Sequence, residues 1–230
     1  MIAVIGDIHG CYYTLKELYG LVKEKYPDIE VYSVGDFYDR GKHSLKVVDF
    51  IAEKNIKFVP GNHDYMFWHF FEKPSSVFSQ TWAYNDSGPV LASYEENEAK
   101  VWEHIKIISE KPLYYDLDDC FITHAGVSSY YKKIISKFDN KIGAIKEIIE
   151  EEYENEHGVM WNRDKLLDIG KLQVVGHTIK DNVTFDKRAN ALYIDTGAFA
   201  RRKLSAAIVN NNEFIDEISV KTKSEDLFKF

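Results

Sequence analysis

Eight short runs of aliphatic and β-branched residues punctuate the chain, at positions 2–5, 31–34, 57–59, 121–123, 172–175, 191–194, 204–209 and 214–220. Each is about strand length, and several are apolar without interruption, the pattern of strands buried on both faces. Segments of helical period separate the first of them. Leu15, Leu18, Leu21 and Val22 form one apolar stripe, and Leu45, Val48, Phe50 and Ile51 form another, with Ser44 placed to cap the second helix. Strand, helix, strand, helix, strand predicts a layered α/β domain.

The middle of the chain breaks that rhythm. Residues 65–110 are rich in Glu and in aromatics such as Trp68, Phe70, Phe71, Trp82 and Trp102, and they show no strand alternation. A helical insertion between strands is expected there. A further helix is expected over roughly 141–156, and its acidic end, EIIEEEYENEHG, reads as a solvated face. From Ala191 on the pattern returns to strands, with NNNE at 210–213 as a hairpin turn. No repeat, low-complexity tract or Pro/Gly-rich linker divides the sequence, so residues 1–230 are expected to form a single domain.

Composition narrows the function classes. Hydrophobic residues make up 45% of the chain and charged ones 29%, ordinary for a globular protein. A formal charge of −8 argues against nucleic acid as a partner, since such binders need cations to neutralise phosphates. A small phosphorylated substrate stays compatible if cations gather at one site, and a bound metal is one way to supply them. Cys11 and Cys120 read as small core residues, with no disulfide framework implied. The apolar run at 2–5 is too short for a signal segment or a membrane span. A cytoplasmic monomer without membrane contact is expected.

The polar residues of interest cluster at strand ends. The first strand runs into GDIHG, with Asp7 and His9. The second runs into GDFYDRG, with Asp36, Asp39 and Arg40, and the third into PGNHD, with Asn62, His63 and Asp64. THAG supplies His124 and GHT supplies His177 after the next two. Parallel strands deliver residues just past their carboxyl ends to one crevice. Taken singly, each is an ordinary turn, cap or surface residue. Taken jointly, with glycine beside each cluster to let backbone turn close to a ligand, they point to a metal site. Imidazoles, carboxylates and an amide oxygen suit Mn, Fe or Zn better than Ca. Six side chains exceed what one ion takes from protein, so two adjacent divalent metal ions are expected.

These motifs resemble the signature of the calcineurin-like metallophosphoesterases. GDFYDRG, with its arginine, resembles the phosphoprotein phosphatase branch. GDIHGCYYTL, MWNRD, VVGHT and YIDTGA resemble the small bacterial and phage lambda-type Ser/Thr phosphatases, and the resemblance runs from residue 1 to about 200. It implies a four-layer α/β/β/α sandwich with a dimetal site at the strand ends. It further implies that Asp7 and His9 bind the first metal, that Asp36 bridges to the second, and that Asn62, His124 and His177 complete the second site. Water activated by the metal pair would attack phosphorus in line, without a covalent phosphoenzyme. His63 would protonate the leaving alkoxide, Asp39 would fix its tautomer, and Arg40 and Arg163 would clamp phosphate. The family usually writes GNHE, so Asp64 brings a carboxylate on a shorter arm and a supporting role is expected for it.

The implied activity is phosphomonoester hydrolysis on phosphoserine, phosphothreonine or phosphotyrosine in proteins, with Mn the expected metal. Within the same chemistry the alternative is a diadenosine tetraphosphatase or related nucleotide hydrolase. A non-catalytic phospho-binding scaffold predicts a broken ligand set, and none of the six ligands is missing. A nuclease is disfavoured by the net charge and by the arginine of DRG. His43, His69, His104 and His157 fall outside the motifs and read as structural or surface residues. Trp82, Tyr84, Asn85 and Asp86, in TWAYNDSG, read as core or lid packing in the insertion.

Overall fold

A computed structural model describes residues 1–84 and 87–228, so Asn85 and Asp86 lie outside the described residues. The first half holds β1 (Ile2–Ile5), α1 (Tyr12–Lys25), β2 (Glu30–Ser33), α2 (Ser44–Glu53) and β3 (Lys57–Phe58). Four helices follow: α3 (Asn62–Glu72), α4 (Val77–Tyr84), α5 (Gly88–Tyr94) and α6 (Glu98–Ser109). The second half holds β4 (Tyr115–Asp116), β5 (Phe121–Ile122), α7 (Lys132–Ile135), α8 (Lys141–Glu152), β6 (Gln173–Val175), β7 (Thr184–Asp186), β8 (Ala191–Tyr193), β9 (Lys203–Asn210) and β10 (Glu213–Lys221). Among the described residues no helix is long and apolar enough to cross a membrane.

Two five-stranded sheets form the middle of the molecule, in the orders β10-β9-β1-β2-β3 and β4-β5-β6-β8-β7. β1, β2 and β3 run parallel in the first, while β5, β6 and β8 run parallel in the second. Alternation along β1 shows how the layers arise. Ile2 and Val4 turn inward against Ile122, Val174 and Leu192 of the other sheet. Ala3 and Ile5 turn outward to Leu15, Leu18, Val48 and Ile51 of α1 and α2. On the far side Phe121 meets Ile145 and Ile149 of α8. Burying each such aliphatic side chain contributes roughly 1.5–3 kcal/mol. The result is the four-layer α/β/β/α sandwich.

Some local expectations are corrected. Leu21 is 39% exposed, because a residue six places after Leu15 lies about 240° around the helix. Thr14 takes its place in the buried face and donates to Asp226 at 2.6 Å. Ser44 is the first residue of α2, not its cap, and its buried hydroxyl has no partner among the described residues. β4 and β7 escaped notice because two- and three-residue edge strands show no period. At 210–213, Asn211 and Asn212 form the turn between β9 and β10 with φ of 49° and 63°, a region Asn tolerates. Asp49 of α2 is tied to α6 by Lys100 at 3.0 Å and by His104 at 3.1 Å.

Candidate dinuclear active site

The residues past β1, β2, β3, β5 and β6 meet at one end of the sandwich, drawn from both sheets. Their backbone is unusual. His9, Asp36, Asp39, Arg40 and His177 all have φ between 45° and 70°, the left-handed region that costs an L-residue roughly 1–2 kcal/mol. Such strain persists only where the surrounding fold over-determines it. Two glycines make room for carboxylates. A Cβ on Gly61 would lie 2.0 Å from Asp36 Oδ1, and one on Gly176 would lie 2.0 Å from Asp7 Oδ1.

Backbone carbonyls fix the orientation of two imidazoles. His9 Nδ1 donates to the Tyr38 carbonyl at 2.7 Å, and His124 Nδ1 donates to the Val34 carbonyl at 2.7 Å. Each Nε2 therefore turns inward, as in buried metal-ligating histidines. His124 Nε2 lies 3.1 Å from Asn62 Oδ1, 3.2 Å from His177 Nδ1 and 3.5 Å from Asp36 Oδ2. His9 Nε2 lies 3.6 Å from the same Asp36 oxygen. Among the described residues, His177 Nε2 is buried without a hydrogen-bond partner. Asp7 accepts the His177 backbone N–H, at 3.0 and 3.2 Å to its two oxygens.

The electrostatics fit cations. Burial pushes His9 and His177 down to about 3 and lowers His124 as well, which favours the ligating, neutral form of these rings. Burial acts to raise Asp36, but the surrounding His124, His63, His9 and His177 hold its carboxyl below the usual range. Burial, Asp195 and Asp36 push Asp7 well above its usual range. Imidazole nitrogens, an amide oxygen and the Asp36 carboxylate thus converge, a donor set suited to two divalent cations, whose charge would favour the ionised form of Asp7. Two subsets bring their ligand atoms within 4.8 Å of one another: Asp36, His124 and His177, and His9, Asp36 and His63. Asp7 falls outside both subsets yet lines the same pocket.

His63 sits beside this cluster on the first turn of α3. Its Nδ1 is hydrogen-bonded to Asp39 Oδ2, and its Nε2 lies 3.4 Å from Arg40 Nη2. Burial acts to lower His63, but Asp36 and Asp39 outweigh it and hold the imidazole above its ordinary value. Asp39 in turn accepts the Trp82 indole N–H. Asp64 is fully buried and holds two loops together. It accepts backbone N–H groups from Asp36 at 2.8 Å, Phe37 at 2.7 Å and Gly61 at 2.8 Å. The shorter carboxylate therefore caps the Gly61 N–H at the start of α3 while clamping the loop after β2.

Comparison with known proteins agrees with this geometry. Residues 1–200 match the calcineurin-like phosphoesterase family. The chain belongs to the calcineurin-like phosphoesterases. It is 26% identical over 251 residues to an asymmetrical bis(5'-nucleosyl)-tetraphosphatase, PrpE, of Oceanobacillus iheyensis, covering 95% of this chain and 92% of that protein. It is 29% identical over 216 residues to serine/threonine-protein phosphatase 2 of Salmonella typhimurium, covering 88% and 89%. A cold-active protein-tyrosine phosphatase of a psychrophilic Shewanella shares the fold, with a TM-score of 0.61 at 17% identity over 96% of this chain and 80% of that one. The family uses a dinuclear divalent metal centre, and the chain is a phosphoric ester hydrolase.

In this phosphoesterase the cluster floors an open cleft of about 1010 Å³. Arg40 and Arg163 both line it, and the Arg40 guanidinium stacks 4.1 Å over the Phe199 ring. Sequence reasoning gave no role to Asp195, which lines the pocket floor beside Asp7 and accepts the Gly197 N–H at 2.9 Å. Burial pushes its carboxyl up to about 6. The signal was present in YIDTGA, where Asp again follows a strand beside glycine. His43, His69, His104 and His157 bond elsewhere, to Glu225, Ser76, Asp49 and Asp164.

Proposed function

We propose that this phosphoesterase is a phosphomonoester hydrolase acting on phosphorylated side chains of proteins, principally phosphoserine and phosphothreonine. The observation that carries the chemistry is the His63–Asp39 pair set beside the converging ligand cluster, with Arg40 and Arg163 lining the cleft above. In this reading Asp7 and His9 would hold one ion and Asn62, His124 and His177 the other, with Asp36 available to both and Mn suited to the mixed donor set. When bound, the two ions supply charge that holds phosphoryl oxygens and acidifies an attacking water. Arg40 and Arg163 grip the remaining phosphoryl oxygens with paired donors. His63, kept protonated by Asp39, delivers its proton to the leaving alkoxide. Residues 1–230 act as one catalytic domain, as a monomer in the cytoplasm, where the two buried free cysteines stay reduced.

The open cleft supports a protein substrate, since it gives a phosphorylated side chain access while its peptide stays at the surface. A second reading, hydrolysis of a dinucleoside tetraphosphate, is favoured by the aromatic rings of Trp161, Phe199 and Phe228 along the same cleft. It is also favoured by the similarity to PrpE. Purified enzyme with added Mn²⁺ distinguishes them in a comparison of a phosphopeptide panel with diadenosine tetraphosphate. Phosphopeptide kcat/KM should dominate; nucleotide turnover far above every peptide would overturn the protein-phosphatase reading.

A further inference from the structure

Arg163 lines not only the catalytic cleft but also a neighbouring trough of about 640 Å³. Thr178, the residue after His177, and the β7–β8 hairpin border this trough. Four more cations line it: Lys165, Lys180, Lys187 and Arg188. Among the described residues none of these four side chains makes an ion pair or hydrogen bond; Lys180 lies over the Tyr193 ring at 4.6 Å. The trough also contains two carboxylates, and both have partners. Asp164 takes the Ser128 hydroxyl at 3.0 Å and His157 Nδ1 at 2.7 Å, while Asp186 takes the Arg188 backbone N–H at 2.9 Å.

A surplus of unpaired cations is unexpected in a chain of net charge −8. Some lysines elsewhere pair with carboxylates, as Lys25 does with Asp216 and Lys203 with Glu217; what sets the trough apart is that four such cations line one concavity together with Arg163. Gathering like charges without partners raises their mutual repulsion, which an anionic ligand relieves. An extended peptide advances about 3.3 Å per residue, so a phosphoresidue gripped at Arg163 would carry its neighbours along the trough.

We propose that this trough is a recognition groove for acidic residues flanking the phosphorylated side chain, so that the enzyme selects phosphosites in acidic sequence. The proposal rests on the protein-phosphatase reading above. Its test uses the Mn²⁺-loaded enzyme and matched phosphoserine peptides whose N-terminal or C-terminal flank carries either three Glu or three Gln. Diadenosine tetraphosphate and p-nitrophenyl phosphate complete the panel.

One flank should give a Glu-to-Gln ratio of kcat/KM of about tenfold at low ionic strength, fading as salt screens the groove. In the double variant Lys187→Glu, Arg188→Glu the ratio should fall to one or below. Each ratio is taken within one protein, so a smaller folded fraction cancels. Phosphopeptides hydrolysed with no preference on either flank overturn this proposal and leave the protein-phosphatase reading intact. Cleavage of p-nitrophenyl phosphate without any phosphopeptide turnover overturns both. Diadenosine tetraphosphate turnover that collapses in the double variant, while the peptide ratio stays unchanged, assigns the groove to a phosphate chain and also overturns the proposal.

Discussion

The indole N–H of Trp82 donates to both oxygens of Asp39, at 2.9 and 3.1 Å, and Asp39 holds His63 Nδ1. Trp82 belongs to α4 and is completely buried, so the insertion reaches the carboxylate that orients His63. Trp82→Phe keeps most of the ring volume and removes the donor. Partners of this kind are worth about 10- to 100-fold where they orient a working side chain. Turnover of phosphoserine peptides, whose alkoxide needs a proton, should fall by about tenfold. Turnover of p-nitrophenyl phosphate, whose leaving group needs little help, should fall much less. Equal losses on both substrates would mean that Trp82 serves packing alone.

His63→Asn separates the two roles open to an imidazole in reach of both Asp36 and Asp39. If His63 is the proton donor, bound metal measured by mass spectrometry stays at two ions per chain. Hydrolysis of poor leaving groups then drops by about 10²–10⁴-fold. Loss of an ion on substitution would make His63 a ligand, as its place in the His9–Asp36–His63 subset allows.

The chemistry was legible because it is written at strand ends, where a fold of this class must expose side chains to a crevice. Asp7, His9, Asp36, Asn62, His124 and His177 stood out as six polar residues each within two positions of a glycine and close to the end of an apolar run. The layered fold was legible for the same reason, since β1 and β6 are short apolar runs flanked by those motifs. What the chain could not announce depends on tertiary neighbours. The left-handed backbone of Asp36 and His177 is imposed by packing, and no residue preference signals it. The Trp82 N–H finds Asp39 across 43 positions, and an aromatic in a helix looks like any other core residue. β7 is exposed, brief and without alternation, yet its hairpin borders the cationic trough.

Asp64 accepts three backbone N–H groups, and these partners predict a steep cost for replacing its carboxylate. Asp64→Asn would turn an NH₂ group toward at least one of those donors in a fully buried place. Equilibrium denaturation should show a loss of roughly 2–3 kcal/mol. Because the same carboxylate holds the Asp36 and Gly61 backbone, metal affinity should weaken as well. A variant as stable as its parent would mean that the two loops are held by other contacts.

Lone pairs converging from His124, His177, Asn62 and Asp36 predict that the metal-free protein is the less stable form. A ligand bound only by the folded state stabilises it by about 2.7 kcal/mol when its concentration is a hundredfold above its Kd. Thermal unfolding of chelator-treated protein should therefore move upward on adding Mn²⁺, in proportion to the logarithm of its concentration. Asp36→Asn should largely abolish the shift, since it removes the carboxylate common to both ligand subsets. An unchanged midpoint with Mn²⁺ would count against the ligand assignment.

Far from the site, Asp116 of β4 accepts from Lys171 at 2.6 Å and pairs with Lys146 of α8 at 2.8 Å, tying that helix to the sheet edge. Partial burial acts to raise the Asp116 carboxyl, but the two ammonium groups outweigh it and hold the folded value below the ordinary 3.8. A folded pKa beneath the unfolded one stabilises the protein fully at pH values above the unfolded pKa. That stabilisation is lost as pH falls through the folded value. Asp116→Asn should therefore cost about 0.5–1 kcal/mol near neutral pH, a modest figure because solvent screens the pair. The gap between variant and parent, read from urea midpoints, should narrow as pH falls below the ordinary carboxylate value, and added salt should shrink it at neutral pH. A gap independent of pH would assign the contribution of Asp116 to hydrogen bonding or packing instead of charge.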